Sequence, residues 1–382
     1  MQVQQTRLAK TQNQLARGTR ILAPADDPAG AKRLLDLQQS LALHEQFRAN
    51  ADSAENRLTL EESTLDAASN VLQRVRELAL EANTATLTNA DRHALGQEVS
   101  QRLEELVGLA NTKDGNNEYL FSGFATRTRP FSRLLSGFTY NGDDGGRELG
   151  IGPELKVPVG DPGSRVFQRI RNGNGTFRTL DQVTNSGTGV IGPGQVSKTS
   201  AFVPDTYTIT FTSTNAYEVR DSGSNLVASG TYQSGSTIAF NGAEVTITGV
   251  PASGDRFQVV PSSNQDVFST AQALATTLAM NVTNDASQAQ LHNAMGRAIE
   301  DVDRSLANLD SVRASVGARL NAVDNERFVN EDFALQLKET ISATRDVDLT
   351  EAVTRLSSER ATLEAAQRSF AVIQNLSLFN FF

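Results

Sequence analysis

Few side chains in this sequence are of the kinds that do chemistry, and their spacing does not suit it. There is no cysteine, so thiolate catalysis, disulfides, zinc fingers and iron–sulfur clusters are excluded together. The histidines are His44, His93 and His292. His44-Glu45 opens like a zinc-protease helix motif, which needs a second histidine one turn later to grip the metal from the same face. Arg48 stands there instead, so His44 reads as a partly buried residue on a helix seam. Gly187-Thr-Gly189-Val-Ile-Gly192 matches the spacing of a dinucleotide fingerprint, but that motif needs a helix directly after it to hold the pyrophosphate. Pro193-Gly194 follows, and the stretch reads as loop. Asn141-Gly-Asp143-Asp144-Gly145 clusters oxygens as calcium sites do, yet lacks the spaced ligands of an EF-hand and reads as a β-turn. The acidic pairs Glu61-Glu62 and Glu104-Glu105 sit at helical positions and read as solvated faces rather than acid–base pairs. Neither G-x-S-x-G nor G-x-x-x-x-G-K-[S/T] occurs. No catalytic residue, cofactor site or metal site is assigned, and the chain reads as a non-enzyme.

Composition narrows the partners. The chain has 382 residues, enough for two or three domains, and a net charge of −9. Its pI near 5.1 argues against nucleic acid, which needs a basic face. Mean hydropathy is −0.33 and no apolar run reaches the length of a membrane span, so membrane insertion is not expected. The N-terminus MQVQQTRLAKTQNQ has no apolar centre and is not a cleaved secretory signal. If the chain is exported, it leaves by a route that does not read such a signal.

The breakers divide the chain before any period is counted. Of 10 prolines, 7 fall from Pro153 to Pro261, and 20 of the 28 glycines fall between Arg133 and Pro261. Proline breaks helices and glycine weakens them, so the outer segments can be long helices and the middle cannot. Leu8, Leu15 and Leu22 predict an N-terminal helix that Gly18 interrupts. After the turn Pro24-Ala-Asp26-Asp27-Pro28, a helix is predicted from Ala29 to Thr86. Leu37, His44, Ala51, Leu58, Leu65, Leu72 and Ala79 keep one seven-residue register in it. Thr88-Asn89-Ala90-Asp91 is a capping box starting a helix to about Asn111. The C-terminal arm mirrors this: Asp266–Met280, then Asp285–Thr344 with Met295, Val302, Leu309, Val316 and Val323 in register. A last helix, capped by Asp348 and Glu351, carries Leu349, Leu356, Leu363 and Phe370 seven apart.

Between the arms, Thr206–Phe211, Glu244–Thr248 and Arg256–Val259 alternate polar and apolar residues, with Gly/Ser/Asn turns between such runs. They predict an inserted β domain. The Gly/Ser/Thr-rich stretch Asn172–Thr199 reads as loop with little buried surface. The expected fold class is α+β: an elongated antiparallel α-helical coiled-coil bundle built from N- and C-terminal arms, with an inserted all-β domain. The expected division is residues 1–24 (assembly helix and loop), 25–132 and 266–345 (helical core), 133–265 (β domain) and 346–382 (C-terminal assembly helix).

The apolar stripes are the informative constellation. Those of the two long helices can fill a bundle within the chain. Those of Met1–Leu15 and Leu349–Phe382 lie beyond it, and the tail from Phe370 to Phe382 is aromatic-rich. Left in water they are costly, so they pair with each other or await other subunits. The candidate assembly residues are Leu8, Leu15, Leu349, Leu356, Leu363, Phe370 and Ile373.

At this point the motifs carry a resemblance. Gln14-Leu-Ala-Arg-Gly18-Thr-Arg-Ile-Leu-Ala-Pro24-Ala-Asp26-Asp27-Pro28-Ala-Gly30 resembles the signature of the bacterial flagellin superfamily after its first helix. Asp346-Val-Asp348-Leu-Thr-Glu351-Ala-Val, with Leu363-Glu-Ala-Ala and Leu376-Ser-Leu378-Phe-Asn, is similar to its terminal helix. Asn117-Glu-Tyr119-Leu-Phe121-Ser-Gly123-Phe-Ala-Thr resembles a segment of the hook–filament junction branch of that superfamily. Ile238–Gly249, with Gly254-Asp255-Arg-Phe257, resembles a β segment of hook-associated proteins.

The resemblance implies a structural protein of the bacterial flagellum. It would form a ring of its own copies between a hook-side junction protein and the first filament flagellin, with helical ends innermost and the β domain outermost. It implies extracellular placement, flagellar type III export without a cleaved signal, and an export chaperone on the C-terminal helix. It also implies family residues ahead of the segment that begins at Met1. Two other readings stay open on the residues alone. One is a filament flagellin. The other is a secreted binding module whose β domain offers Tyr207, Tyr217 and Tyr232 as a sugar platform, although these tyrosines read first as buried strand residues.

Overall fold

A computed structural model describes residues 2–84, 87–135 and 137–375. The helices are α1 (Gln2–Arg17), α2 (Pro28–Ala82), α3 (Asn89–Ala110), α4 (Val267–Leu278), α5 (Asp285–Arg345) and α6 (Leu349–Asn375), and every strand lies between α3 and α4. This is an α+β chain of two helical arms around an inserted antiparallel β domain. It divides into two compact units. One holds the residues up to Ser53, Gly150–Lys156 and those from Val323; the other holds Ala54–Leu149 and Val157–Ala322.

In the second unit the seven-residue registers become the core. Leu58, Leu65, Leu72 and Ala79 of α2 are fully buried, and so are Met295, Val302 and Val316 of α5. Arg76 pairs with Asp303, and Arg313 with Glu62 and Asp66, so the two helices run antiparallel here. Helices α3 and α4 close the bundle through Val99, Leu274 and Leu278. The predicted capping box is present. Thr88 Oγ1 accepts the Asp91 N–H at 3.2 Å, and Asp91 accepts the Thr88 N–H at 3.1 Å. Asp266 caps α4 through the Ser269 N–H at 2.7 Å. Asn89 and Val282 exchange hydrogen bonds of 3.2 and 3.1 Å, stitching the α2–α3 and α4–α5 connections together.

The β domain has its own core. Its five-stranded sheet runs Leu226–Thr231, Ala216–Arg220, Tyr207–Ser213, Arg256–Pro261, Phe177–Asp181 in spatial order. A second sheet is built on Ala243–Thr248, flanked by Thr237–Phe240 and Val190–Ile191. All pairings are antiparallel. Alternate residues of both sheets, among them Ile209, Phe211, Phe257, Val245 and Ile247, meet in one cluster.

Two expectations are corrected by long-range partners. Asn172–Thr199 is not bare loop: it contains the edge strand Phe177–Asp181, and Phe177 and Ile191 are buried. Helix α5 organises it. Asn293 accepts the Ile191 N–H at 2.8 Å and donates to Gly189 O at 3.0 Å. Asp301 accepts the Gly173 N–H at 2.9 Å. These partners lie more than a hundred residues away, where no local composition reveals them. Two of the three tyrosines take the buried role that their strands predicted, and Tyr217 is half-buried. Tyr207 and Tyr232 are buried with hydroxyls donating to backbone carbonyls, Tyr207 to Val203 and Tyr232 to Gly249. The second correction is Glu61, read as part of a solvated face but only 1% exposed. It lies on the same face of α2 as Leu58 and Leu65, which the Glu61-Glu62 pairing concealed.

The glycine triplet is not loop throughout, since Val190–Ile191 within it pairs with Ala243–Thr248, and the oxygen cluster is tied into its surroundings by hydrogen bonds and an ion pair. Gly187 sits in a turn where Asp255 accepts the Ser186 and Gly187 N–H groups, and Gly192 leads into strand Gln195–Val196 rather than a helix. Asp143 accepts three N–H groups, from Phe124, Ala125 and Gly145, while Asp144 pairs with Arg169. Those hydrogen bonds draw Asp143 below the usual carboxylate range.

Glu61 has a measurable consequence. Its Oε1 accepts the Asp161 N–H at 3.0 Å and its Oε2 meets no donor among the described residues. Burial, reinforced by the Asp161 carboxylate, pushes Glu61 up to about 7. A carboxyl whose folded value lies above its unfolded value binds extra protons when folded. Its stabilising contribution is full below the unfolded value and is lost as pH rises through about 7. Glu61→Gln is therefore expected to be more stable than wild type at pH 8, by roughly 2–3 kcal/mol. That gain should shrink toward pH 5. Urea unfolding at the two pH values checks the sign, and an equal gain at both would refute a titrating Glu61.

Candidate assembly site

The site begins at the joint between the end helices and the long ones, all within the first unit. Helix α1 stops at Gly18, whose φ of +67° is the left-handed conformation glycine tolerates. The chain then lies against the α5–α6 connection. Thr19 bridges Asp346, the Arg20 N–H donates to Arg345 O at 2.7 Å, and the Val347 N–H donates to Gly18 O at 3.0 Å. Gln14 is buried in α1, and its Nε2 donates to Arg20 O at 2.6 Å, clamping the turn from inside. Nothing in the heptad pattern marks Gln14, because its role depends on a backbone carbonyl six residues on.

The Asp26-Asp27-Pro28-Ala-Gly30 run explains itself physically. Asp26 accepts the Leu22 and Ala23 N–H groups and pairs with Lys10 at 2.8 Å. The Lys10 ammonium lowers the Asp26 carboxyl from its ordinary value. Asp27 accepts the Gly30 N–H at 2.9 Å and caps α2, which opens with Pro28, a residue whose missing donor costs nothing in the first turn. A Cβ on Gly30 would lie 2.4 Å from Asp27 Oδ2 and 2.9 Å from Ile21, so only glycine admits this cap. Asp348 does the same for α6, accepting the Thr350 and Glu351 N–H groups at 2.8 and 3.1 Å.

From this joint α1 and α6 pack against each other. Thr11, Gln14 and Ala352 are buried on the packed faces, and Leu8, Leu15, Leu356 and Leu363 are half-buried. Leu349 and Phe370 stay 60% and 47% exposed. The proposed residues thus fall into a half-covered set and an open set. Ile373 lies in the last turn of α6 with its side chain outside the described residues. Residues 376–382, the end of the aromatic tail, are also outside them.

The same unit holds apolar residues the heptad reading missed. Leu35 and Leu43 on α2, and Phe328, Phe333 and Leu335 on α5, are all exposed. Between these stretches, His44 Nδ1 lies 2.7 Å from Asn330 Oδ1, and the His44 ring stacks on Phe333 at 5.2 Å. The available signal was large apolar side chains standing off the seven-residue line, where a helix pair cannot cover them. Among the described residues no group of three or more acidic or histidine side chains is placed to hold a metal. Among them no helix is long and apolar enough to cross a membrane. The arrangement can do what uncovered helical stripes do: bury against other helices, at roughly 1.5–3 kcal/mol per large side chain.

The comparisons with known proteins agree with this geometry. The bacterial flagellin N-terminal helical region matches residues 1–126 and the C-terminal helical region residues 299–382. The flagellar junction protein FlgL from Legionella pneumophila is 34% identical, covering 83% of this chain and 100% of that one, with a TM-score of 0.76. Xanthomonas campestris FlgL is 34% identical, covering 80% and 99%, also at 0.76. Flagellar hook-associated protein 3 of Escherichia coli is 25% identical over 367 residues, 96% of this chain and 90% of the relative. With both flagellin helical regions matched and relatives 34% identical over four-fifths of its length, the chain belongs to the flagellar hook-associated protein 3 (FlgL) family, within the bacterial flagellin superfamily.

Proposed function

We propose that this protein joins the hook of the bacterial flagellum to its filament, outside the cell, as a structural element with no catalytic step. Its partners are other proteins of the flagellum. The single observation that carries this reading is the pair α1 and α6. They are firmly capped and pinned at one joint, yet leave Leu349 and Phe370 exposed and Leu8, Leu15, Leu356 and Leu363 half-covered.

In this reading copies of the chain form a ring, with a hook-side junction protein on one side and the first filament flagellin on the other. The ring templates flagellin polymerisation. Residues 1–24 and 346–382 are the assembly ends, 25–132 and 266–345 the helical core, and 133–265 an outward β domain. Leu349, Leu356, Leu363, Phe370 and Ile373 on α6, with Leu8 and Leu15 on α1, become buried against neighbouring subunits. An export chaperone covers the apolar face of α6 until the chain passes through the flagellar type III apparatus.

Two measurements test it. Cells lacking the gene should carry hooks without filaments and release flagellin monomer into the medium. Normal filaments on those cells would end the junction reading, and loss of the bulk polymer itself would make the chain a filament flagellin. Leu363→Asp should keep the thermal unfolding of the helical core while abolishing incorporation, since a charge on a buried seam costs several kcal/mol, of order 3 or more. Incorporation of that variant at the wild-type level would show that the stripe is no assembly face.

A further inference from the structure

A second uncovered surface lies in the other compact unit, along α5 between His292 and Ala307. Two adjoining grooves of about 390 and 350 Å³ share Pro193, Gly296 and Glu300. Gly296 leaves the floor open: a Cβ there would meet nothing within 4 Å. Pro193 and Ile299 make aliphatic walls. Glu300 is half-buried in a groove that Asp303, Arg297 and Arg304 also line, and it has no hydrogen bond or ion pair among the described residues. The nearby arginines are all committed elsewhere. Arg297 holds Asp181, Arg178 holds Asp301, Arg76 holds Asp303, and Arg304 donates to the Gly173 and Asn174 carbonyls. Burial, with the adjacent Asp301 carboxylate, pushes Glu300 up to about 7. A carboxyl in that state gains from any cation that enters the groove with apolar neighbours around it.

The same unit carries a complementary knob. Arg127 and Arg129 are exposed and have no acidic partner among the described residues, and Phe124, Leu134 and Leu135 beside them are exposed as well. The backbone under the knob is stiff. Asp143 accepts the Phe124 and Ala125 N–H groups, each at 2.9 Å. Pro130 and Phe131 are buried, and the Phe131 N–H donates to Asn111 Oδ1 at 2.9 Å. No residue from 124 to 135 lines the groove, so within one chain the knob does not fill it.

We propose that the groove over Gly296 seats the Arg127–Arg129 loop of a second copy of this chain, with a guanidinium on Glu300 and the loop's apolar neighbours over Pro193 and Ile299. This contact joins two different faces, so it is head-to-tail and closes into a ring when the rotation closes. It rests on the ring reading above and names one of its contacts. Copies with a net charge of −9 repel at long range, and two unpaired arginines facing the unpaired Glu300 carboxyl set the register in which they meet.

The cysteine-free chain makes the test clean. Cells carry full-length protein with Arg129→Cys and Glu300→Cys together, or either alone, and their assembled flagella are treated with a short bis-maleimide. Immunoblots should show a ladder of dimers and higher species for the pair and none for the single variants. No ladder, although both thiols react with maleimide in the unassembled chain, overturns the proposal, as does a cross-link to a different flagellar protein. Independently, Glu300→Arg alone and Arg127→Glu/Arg129→Glu alone should each reduce filament-bearing cells by roughly tenfold, and the combination should recover most of the loss. A combination no better than either parent, with unfolding transitions unchanged, overturns it too. Normal filaments on a deletion strain would remove the ring reading itself. A deletion strain that sheds flagellin, together with no ladder, removes only this contact.

Discussion

The antiparallel seam of α2 with α5 is what every other feature leans on. Apolar residues seven apart place one stripe along each helix, and in the second unit those stripes are buried to the last residue. Once the two helices are antiparallel there, their connections to α3 and α4 must emerge at one end. The reciprocal Asn89–Val282 hydrogen bonds sit at that end. Helices α3 and α4 then pack together, and the chain between them is free to fold as a separate β domain with its own apolar cluster. The insertion therefore needs no seam of its own. It is anchored to α5 by a few polar side chains, Asn293, Asp301 and Arg304.

The first unit adds α1 and α6 to its stretches of α2 and α5. There the Gly150–Lys156 segment bonds to Asn50 of α2 and Asn330 of α5, while apolar side chains such as Phe328 and Leu335 stay exposed. The joint is nevertheless well satisfied: Gly18, Asp26, Asp27 and Asp348 supply the caps and turns that helix ends require. The ends thus satisfy their backbone while leaving apolar stripes partly uncovered. The hydrogen bonds fix the direction of the ends, and the apolar burial free energy of these side chains is only partly realised within the chain.

Buried ionisable groups mark where the second unit carries stability in reserve. Glu61 lies among Leu58, Leu65 and the Asp161 loop, with Arg57 and Arg319 committed mainly to other carboxylates, Asp114 and Asp161. Glu300 faces an open groove. Both are carboxyls whose neutral forms the fold favours. Such groups are weak evidence for stability and better evidence for a site that can exchange a proton or a partner.

Much was legible from residues alone. Helix limits came within a few positions, because proline, glycine and capping residues act locally. The strands at Tyr207–Ser213, Ala243–Thr248 and Arg256–Pro261 followed from alternation. The Asp26-Asp27-Pro28 turn and the α6 stripe were visible as patterns. What remained hidden depended on partners far away in the chain. Phe177–Asp181 is a strand because Arg256–Pro261 pairs with it and α5 pins its flanks. Glu61 is buried because a loop a hundred residues later covers it. Gln14 and the groove over Gly296 exist only once separate segments meet. The sequence by itself determined the period, caps and breakers, since those act over one or two turns of chain. Only the tertiary structure decided which apolar and ionisable groups are covered, since burial is a property of what lies opposite.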